Sequence, residues 1–175
     1  MGGYFLYQGL KIEFKSKISQ IFLKNSWEKT LTSGKYNKPW SKIDSFPILK
    51  IYVPKLKVEH IVLNDTSQQS LAHGPGFHKE SFLPKKGKTT VISMHRDSHG
   101  IFLKKLMIGD IIKLQDKEKN WHLYIVNNFY IIDIKNENLS ISSSKNNLLL
   151  ITCYPFDAIR SGTPYRFIVE ASKKT

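Results

Sequence analysis

The sequence predicts a mainly β domain, a sandwich or a closed barrel, and two observations carry that reading. Seven or eight short apolar segments, punctuated by Gly, Pro, Asn and Asp, follow one another from about residue 46 onward. One of them, Leu148-Leu149-Leu150-Ile151, is apolar at every position. A strand of that kind must be covered on both faces, which favours a central place in a closed sheet. The length of 175 residues suits one domain with a real core, and 41% hydrophobic with 23% charged residues is ordinary for a globular protein.

Apolar residues at Phe14, Ile18, Ile21 and Phe22, with Lys on the other side, predict a basic amphipathic helix from about Lys11 to Lys29. Such a helix either rests on a membrane surface or packs its stripe on the domain. Ahead of it, Tyr4-Phe5-Leu6-Tyr7 reads as the trimmed end of a hydrophobic anchor or as a frayed terminus. No window reaches the roughly 18 apolar residues of a membrane span. Gly34 to Ser45, with Pro39 and Trp40, reads as an extended connector. The chain therefore divides into a helix and connector over 1–45 and a β domain over 46–175.

Within that domain, Phe46 to Val53 alternates and stops at Pro54, and His60 to Leu63 is a short apolar run. Ser70 to Phe77 holds Gly74-Pro75-Gly76, a turn or a short broken helix. Thr89 to Met94 is β-branched and apolar, Ile101 to Met107 predicts one or two helical turns, and Gly109-Asp110 leads into Ile111 to Leu114. Trp121 to Val126, Phe129 to Ile134, Leu148 to Cys153 and Arg166 to Val169 complete the set. Lys135 to Asn147 is a polar connection in which only Leu139 and Ile141 hint at a further strand.

The charge is unusual: 27 Lys and Arg against 14 Asp and Glu leave +13. Such an excess suits an anionic neighbour, whether nucleic acid, anionic lipid or cell-wall polymer, or a surface simply well solvated by scattered Lys. One cysteine excludes an intrachain disulfide framework.

That cysteine, Cys153, ends the all-apolar run, and Arg166 opens the next one. Consecutive strands tend to lie side by side and antiparallel, which sets a fixed cation beside the thiol. A lone Cys is otherwise an inert core residue. Cysteine catalysis needs thiolate near neutral pH, and a nearby cation favours it. Arg166 is unfit as a base and suited to holding oxyanion charge. His95, in Ser93-Met94-His95-Arg96-Asp97, is the best candidate for a proton carrier.

These residues resemble the sortase family of bacterial cysteine transpeptidases. Leu150-Ile151-Thr152-Cys153 is similar to the family's Leu-x-Thr-Cys strand end, Arg166 stands at the customary interval, and His95-Arg96-Asp97 resembles its Gly-His-Arg segment. Thr30-Leu31-Thr32-Ser33-Gly34 with Pro39-Trp40, Gly74-Pro75-Gly76, His95-Arg96-Asp97-Ser98-His99 and Cys153-Tyr154-Pro155-Phe156-Asp157-Ala158 resemble the Gram-negative branch in particular. The similarity runs from about Trp27 to Ser172. It implies a closed barrel of about eight strands, with Cys153 as nucleophile, His95 as general acid and base, and Arg166 as oxyanion and substrate stabiliser. Thr152, Met94, His99 and Tyr154 form the implied supporting and substrate-binding set. Met94 stands where the family commonly has Gly, which is expected to add bulk beside the groove, and His99 is expected to flank that groove.

The resemblance further implies a substrate protein bearing a Leu-Pro-x-Thr-Gly-like sorting signal, an amine acceptor, and an N-terminal membrane segment missing or truncated ahead of this chain. The catalytic domain would face outward from the cytoplasmic membrane. No cofactor is expected. Calcium dependence is not expected either, because Asp65, Asp133 and Glu137 are few and widely spaced and that cation wants six to eight oxygens.

Other readings fare worse. His95-Arg96-Asp97 resembles a kinase loop, but no Gly-rich loop precedes it and Phe102 stands where the metal-binding Asn belongs. Cys153 to Arg160 is one residue too long for a phosphatase loop. His95 and His99 have metal-ligand spacing without a matching acid. His60, His73, His78 and His122 belong to no constellation. The rival from another class is a non-catalytic basic β-barrel that binds nucleic acid, with Tyr124, Phe129 and Tyr130 as stacking surfaces.

Overall fold

The computed structural model describes residues 2–137, 146–158 and 162–174, with side chains from Ile18 onward. Eight strands form in chain order: β1 (Pro47–Val53), β2 (Val58–Leu63), β3 (Gly76–Phe77), β4 (Thr90–Ser93), β5 (Ile111–Gln115), β6 (Trp121–Asp133), β7 (Asn147–Cys153) and β8 (Tyr165–Lys173). Their spatial order is β1-β2-β3-β4-β7-β8-β6-β5, and β5 pairs back onto β1 to close the barrel. Two helices, α1 (Gly2–Ser33) and the single-turn α2 (Gln68–Leu71), accompany them.

The all-apolar run lands where its composition requires. β7 lies between β4, parallel to it, and β8, antiparallel to it. Leu148 and Leu150 point into the barrel beside Leu49, Ile51, Ile92 and Val169. Leu149 and Ile151 join Val91, Ile132 and Ile168 in a second buried cluster on the opposite face. The pleat sends successive side chains to opposite faces, so both halves of the run are dry.

Trp121 to Asp133 is one strand rather than two. Its register against β8 shifts between Val126 and Asn128, and this irregularity absorbs the polar Asn127-Asn128 pair that looked like a break. The hint of a strand at Leu139 and Ile141 lies outside the described residues.

The helix is longer than predicted, and its buried face is not the expected stripe. Ile18, Ile21 and Phe22 are 40%, 61% and 51% exposed, whereas Leu23 and Trp27 are fully buried against Ile61 and Leu63 of β2. Small polar residues at Ser19, Ser26 and Thr30 complete the buried face. A Cβ on Gly74, just ahead of β3, would sit 2.7 Å from Gln20 Nε2, 3.0 Å from Ile61 O and 3.3 Å from Leu23 Cδ1, so this segment fits between the helix side chains and β2 only as glycine.

Gln20 exploits the short β3. Its Oε1 accepts the Ile61 N–H at 2.8 Å and its Nε2 donates to His73 O at 3.1 Å. The helix thus caps an edge of β2 that β3 does not reach. Gly34, at φ +69, ends α1 in the left-handed conformation and donates its N–H to Thr30 O at 2.9 Å.

Replacing Trp27 by Ala should cost about 3–5 kcal/mol of unfolding free energy, whereas Ile21→Ser should stay within about 0.5 kcal/mol. Urea denaturation of both variants reads this directly. Equal losses would contradict the assignment of the buried face.

Candidate active site

Register brings the three chemistry-bearing residues to one rim. Cys153 of β7 stands directly opposite Arg166 of β8, and directly opposed residues of an antiparallel pair share a face. That face carries Ile151 and Ile168, so the thiol lies outside the barrel interior and is partly exposed. β4 runs parallel to β7 with Ser93 opposite Ile151. The ladder continues one step further, where the Met94 N–H donates to Ile151 O at 2.9 Å. His95, an exposed residue, therefore leaves β4 beside the Thr152-Cys153 end of β7.

Thr152 has the opposite orientation. It is 2% exposed, and its hydroxyl donates to Met94 O at 2.9 Å, tying the end of β7 to the residue before His95. Gly100 closes the loop that begins at His95: its N–H donates to His95 O at 2.7 Å. A Cβ at Gly100 would lie 2.8 Å from both His95 O and Thr152 Oγ1, so only glycine admits this turn. Nothing in the sequence reading singled it out.

Two members of the expected supporting set are enclosed. Met94 is 3% exposed and belongs to the interior core with Ile92 and Leu103. Its Cγ would lie 3.0 Å from a Cβ at Gly100, so it packs beneath the loop that begins at His95. His99 is 2% exposed and packs edge-on against His60, with ring centroids 5.0 Å apart. Together they line a cavity of about 620 Å³ that also contacts Gln20, Asp97 and Phe102. Tyr154 stays at the rim, where its ring packs on Phe156 and Phe167, and its carbonyl accepts from Thr163 Oγ1 at 2.6 Å.

The guanidinium of Arg166 is steered by its own loop. Its Nη1 donates to Thr163 O at 2.6 Å and Tyr165 O at 2.9 Å. A second arginine, Arg96, is more deeply held. It is 7% exposed, its Nε and Nη2 donate to the Asp97 carboxylate at 2.7 and 3.1 Å, and its Nη1 and Nη2 donate to Pro155 O and Ala158 O at 2.7 and 2.8 Å. The sequence reading used Arg96 only as part of a motif.

The remaining histidines find partners. His78 Nε2 lies 2.7 Å from Ser93 Oγ, and His122 Nε2 lies 2.8 Å from Asp116 Oδ2. Burial drives the His60 pKa down to about 4, against a weaker opposing pull from Glu59. Burial also drives His99 down to about 3, helped by its neighbours His60, His95 and His73. Both are neutral near pH 7 and cannot trade protons there. Among the described residues, no three His, Cys, Asp or Glu side chains are grouped to hold a metal. Asp65 is engaged by Ser45 and Ser67, and Asp133 caps its own turn through Lys135 N and Asn136 Nδ2. Tyr124 is fully buried and Phe129 stacks on Phe167, so neither offers the base-stacking surface that nucleic-acid binding needs.

A closed eight-stranded barrel with a thiol, an imidazole and a guanidinium at one rim is a recognisable architecture, and comparison with known proteins places it. The Sortase domain family model matches residues 51–174. The chain belongs to the sortase family. It is 27% identical to Sortase D of Bacillus subtilis (strain 168) over 123 residues, which is 70% of this chain and 62% of that protein's length. Among solved structures it resembles Sortase A from Corynebacterium diphtheriae, with TM-score 0.65, 16% identity and coverage of 99% and 93% of the two chains. It also resembles a Clostridium perfringens Sortase D5 transpeptidase, at 0.68, 18%, 91% and 98%. For the catalytic domain of B. anthracis SrtD, the corresponding values are 0.61, 27%, 74% and 88%.

The buried histidine pair makes stability depend on pH. An unfolded histidine takes up its proton near pH 6.5, whereas folded His60 and His99 resist until about 4 and 3. Their neutral state is therefore tolerated fully above about pH 6.5, and each costs stability as pH falls below it, by roughly 1.4 kcal/mol per pH unit. Thermal denaturation between pH 7 and 4.5 should show a shallower acid loss for His60→Gln than for the unaltered protein. Parallel curves would remove His60 from this account.

Proposed function

We propose that the protein is a cysteine transpeptidase that cleaves a Leu-Pro-x-Thr-Gly-like sorting signal and passes the acyl group to an amine acceptor at the cell envelope. One observation carries this most: the register that sets Cys153 opposite Arg166, with His95 leaving the neighbouring parallel strand at the same rim. Family membership supplies the reaction class.

The Cys153 thiolate attacks the backbone carbonyl carbon of the sorting-signal Thr, forming a C–S bond and an oxyanion. Arg166, permanently charged, offers N–H donors to that oxyanion. His95 protonates the departing amine as the C–N bond breaks, leaving a thioester on Cys153. The incoming amine loses its proton to His95, attacks the thioester carbonyl and expels the thiolate. Thr152 and Gly100 hold the two strand ends together during both halves, and Tyr154 borders the site. No step needs a cofactor.

The assignment extends to setting and lineage. Residues 1–45 act as a membrane-proximal unit and 46–175 as the catalytic domain. The exposed Ile18, Ile21 and Phe22 on a basic helix support a position against the outer face of the cytoplasmic membrane. No helix of the described residues is long and apolar enough to cross a membrane. The Gram-negative branch is inferred from motif resemblance: Thr30-Leu31-Thr32-Ser33-Gly34 with Pro39-Trp40, Gly74-Pro75-Gly76, His95-Arg96-Asp97-Ser98-His99 and Cys153-Tyr154-Pro155-Phe156-Asp157-Ala158.

Cys153→Ala should abolish both cleavage of Leu-Pro-x-Thr-Gly-like peptides and the thioester adduct seen by intact mass. Arg166→Ala should raise the barrier by about 2.7–4 kcal/mol, roughly 10²–10³ in kcat. Undiminished peptide cleavage by either variant would falsify the mechanism.

A further inference from the structure

We propose that Arg96 is a positioning residue that clamps the His95 loop onto the turn following Cys153, so that imidazole and thiol keep their working separation. This rests on the transpeptidase reading above and assigns a role that reading does not contain. Arg96 is the residue after His95, so its backbone moves with the histidine. Its side chain reaches across to the other strand end, where Pro155 and Ala158 lie two and five residues after Cys153.

Two of the four hydrogen bonds from this guanidinium, to Pro155 O and Ala158 O, therefore join the two segments that carry the nucleophile and the proton carrier, and the other two fix the fork on Asp97 within its own loop. Asp97 orients the fork from the solvent side, since its own side chain is 69% exposed. The backbone ladder between β4 and β7 ends at Met94 and Ile151, and Thr152 adds one hydroxyl bond beyond it. Past that point, among the described residues, the Arg96 bonds are the side-chain link between the His95–Gly100 loop and the 154–158 turn.

A planar fork is the right device. Two carbonyls and a carboxylate in different directions need donors fixed in a plane, which a lysine ammonium does not provide. The charge has a second effect. The Asp97 hydrogen bond holds the Arg96 pKa above its usual range against the cost of burial, and Cys153 and Asp157 are near enough to add to it. A cation beside a thiol favours the thiolate.

The test compares Arg96→Lys, which keeps the charge and loses the fork, with Arg96→Met, which loses both. In Arg96→Met, kcat on a sorting peptide should fall about 30-fold or more with KM changed by less than about threefold, as expected for a geometric error at the reacting atoms. Arg96→Lys should show the same split to a smaller degree. Cys153 is the only cysteine, so its alkylation by iodoacetamide at pH 7 is a second, substrate-free readout. Alkylation should slow about threefold or more in Arg96→Met and stay near the original rate in Arg96→Lys.

A purely structural role lowers Tm but leaves kcat per folded molecule intact, and that result would overturn the proposal, as would a loss confined to KM. If Arg96→Met does not fold, Arg96→Lys decides: a fall in kcat supports the clamp and full kcat removes it. If the unaltered protein cleaves no sorting peptide, the transpeptidase reading fails by itself. The alkylation order still decides on Arg96, equal rates in all three proteins counting against it.

Discussion

The arrangement depends on β7 having a neighbour on each side, β4 running with it and β8 against it. Because strand side chains alternate, a slip of one residue in either pairing would turn the thiol inward and put Thr152 on the outer face. The all-apolar run resists such a slip poorly by pattern alone, since either face accepts Leu or Ile. Polar groups at its end supply the missing specification. The Thr152 hydroxyl finds its carbonyl at Met94 only when it points into the barrel, and Gly100 leaves room for it there. Stability and site geometry are set by the same few atoms.

Electrostatics divides the histidines by environment rather than by sequence context. His95 is exposed at the rim, whereas His60 and His99 pack ring against ring and are held neutral by burial. His99 comes only four positions after His95, yet one is open to solvent and the other is enclosed. The two arginines divide similarly. Arg96 is enclosed and fully engaged near the thiol. Arg166 is held through Nη1 alone, and its Nε and Nη2 have no hydrogen bond to any described residue.

The N-terminal helix is part of this body over its second half. Leu23 and Trp27 bury against β2, Gln20 satisfies an open strand edge, and Lys24 and Lys50 pair with Glu59 from the two sides of the interface. The exposed Lys24 pair contributes little by itself and Lys50 reaches Glu59 only at 3.9 Å, so the apolar contact holds the helix. The apolar residues left outside, Ile18, Ile21 and Phe22, lie on the side away from that contact, and Trp40 meets Phe22 edge-on at 6.2 Å.

The mainly β class, the closed sheet and the central place of the all-apolar strand were legible in the sequence alone, although β3 read there as a turn or broken helix and β6 as two strands. Those properties follow from local composition: a run apolar on both faces demands a central strand, and the order of Leu-x-Thr-Cys, His-Arg and the later Arg is written in one dimension. Only the tertiary structure decided which face each neighbour took. Met94 went inward with Ile92, the helix buried Leu23 and Trp27 rather than Ile21 and Phe22, and His99 found His60. The physical reason is that orientation at a strand end or along a helix is fixed by what lies across the gap. Arg96 shows this most clearly, because its partners are carbonyls some sixty residues away, and backbone oxygens look alike in any sequence.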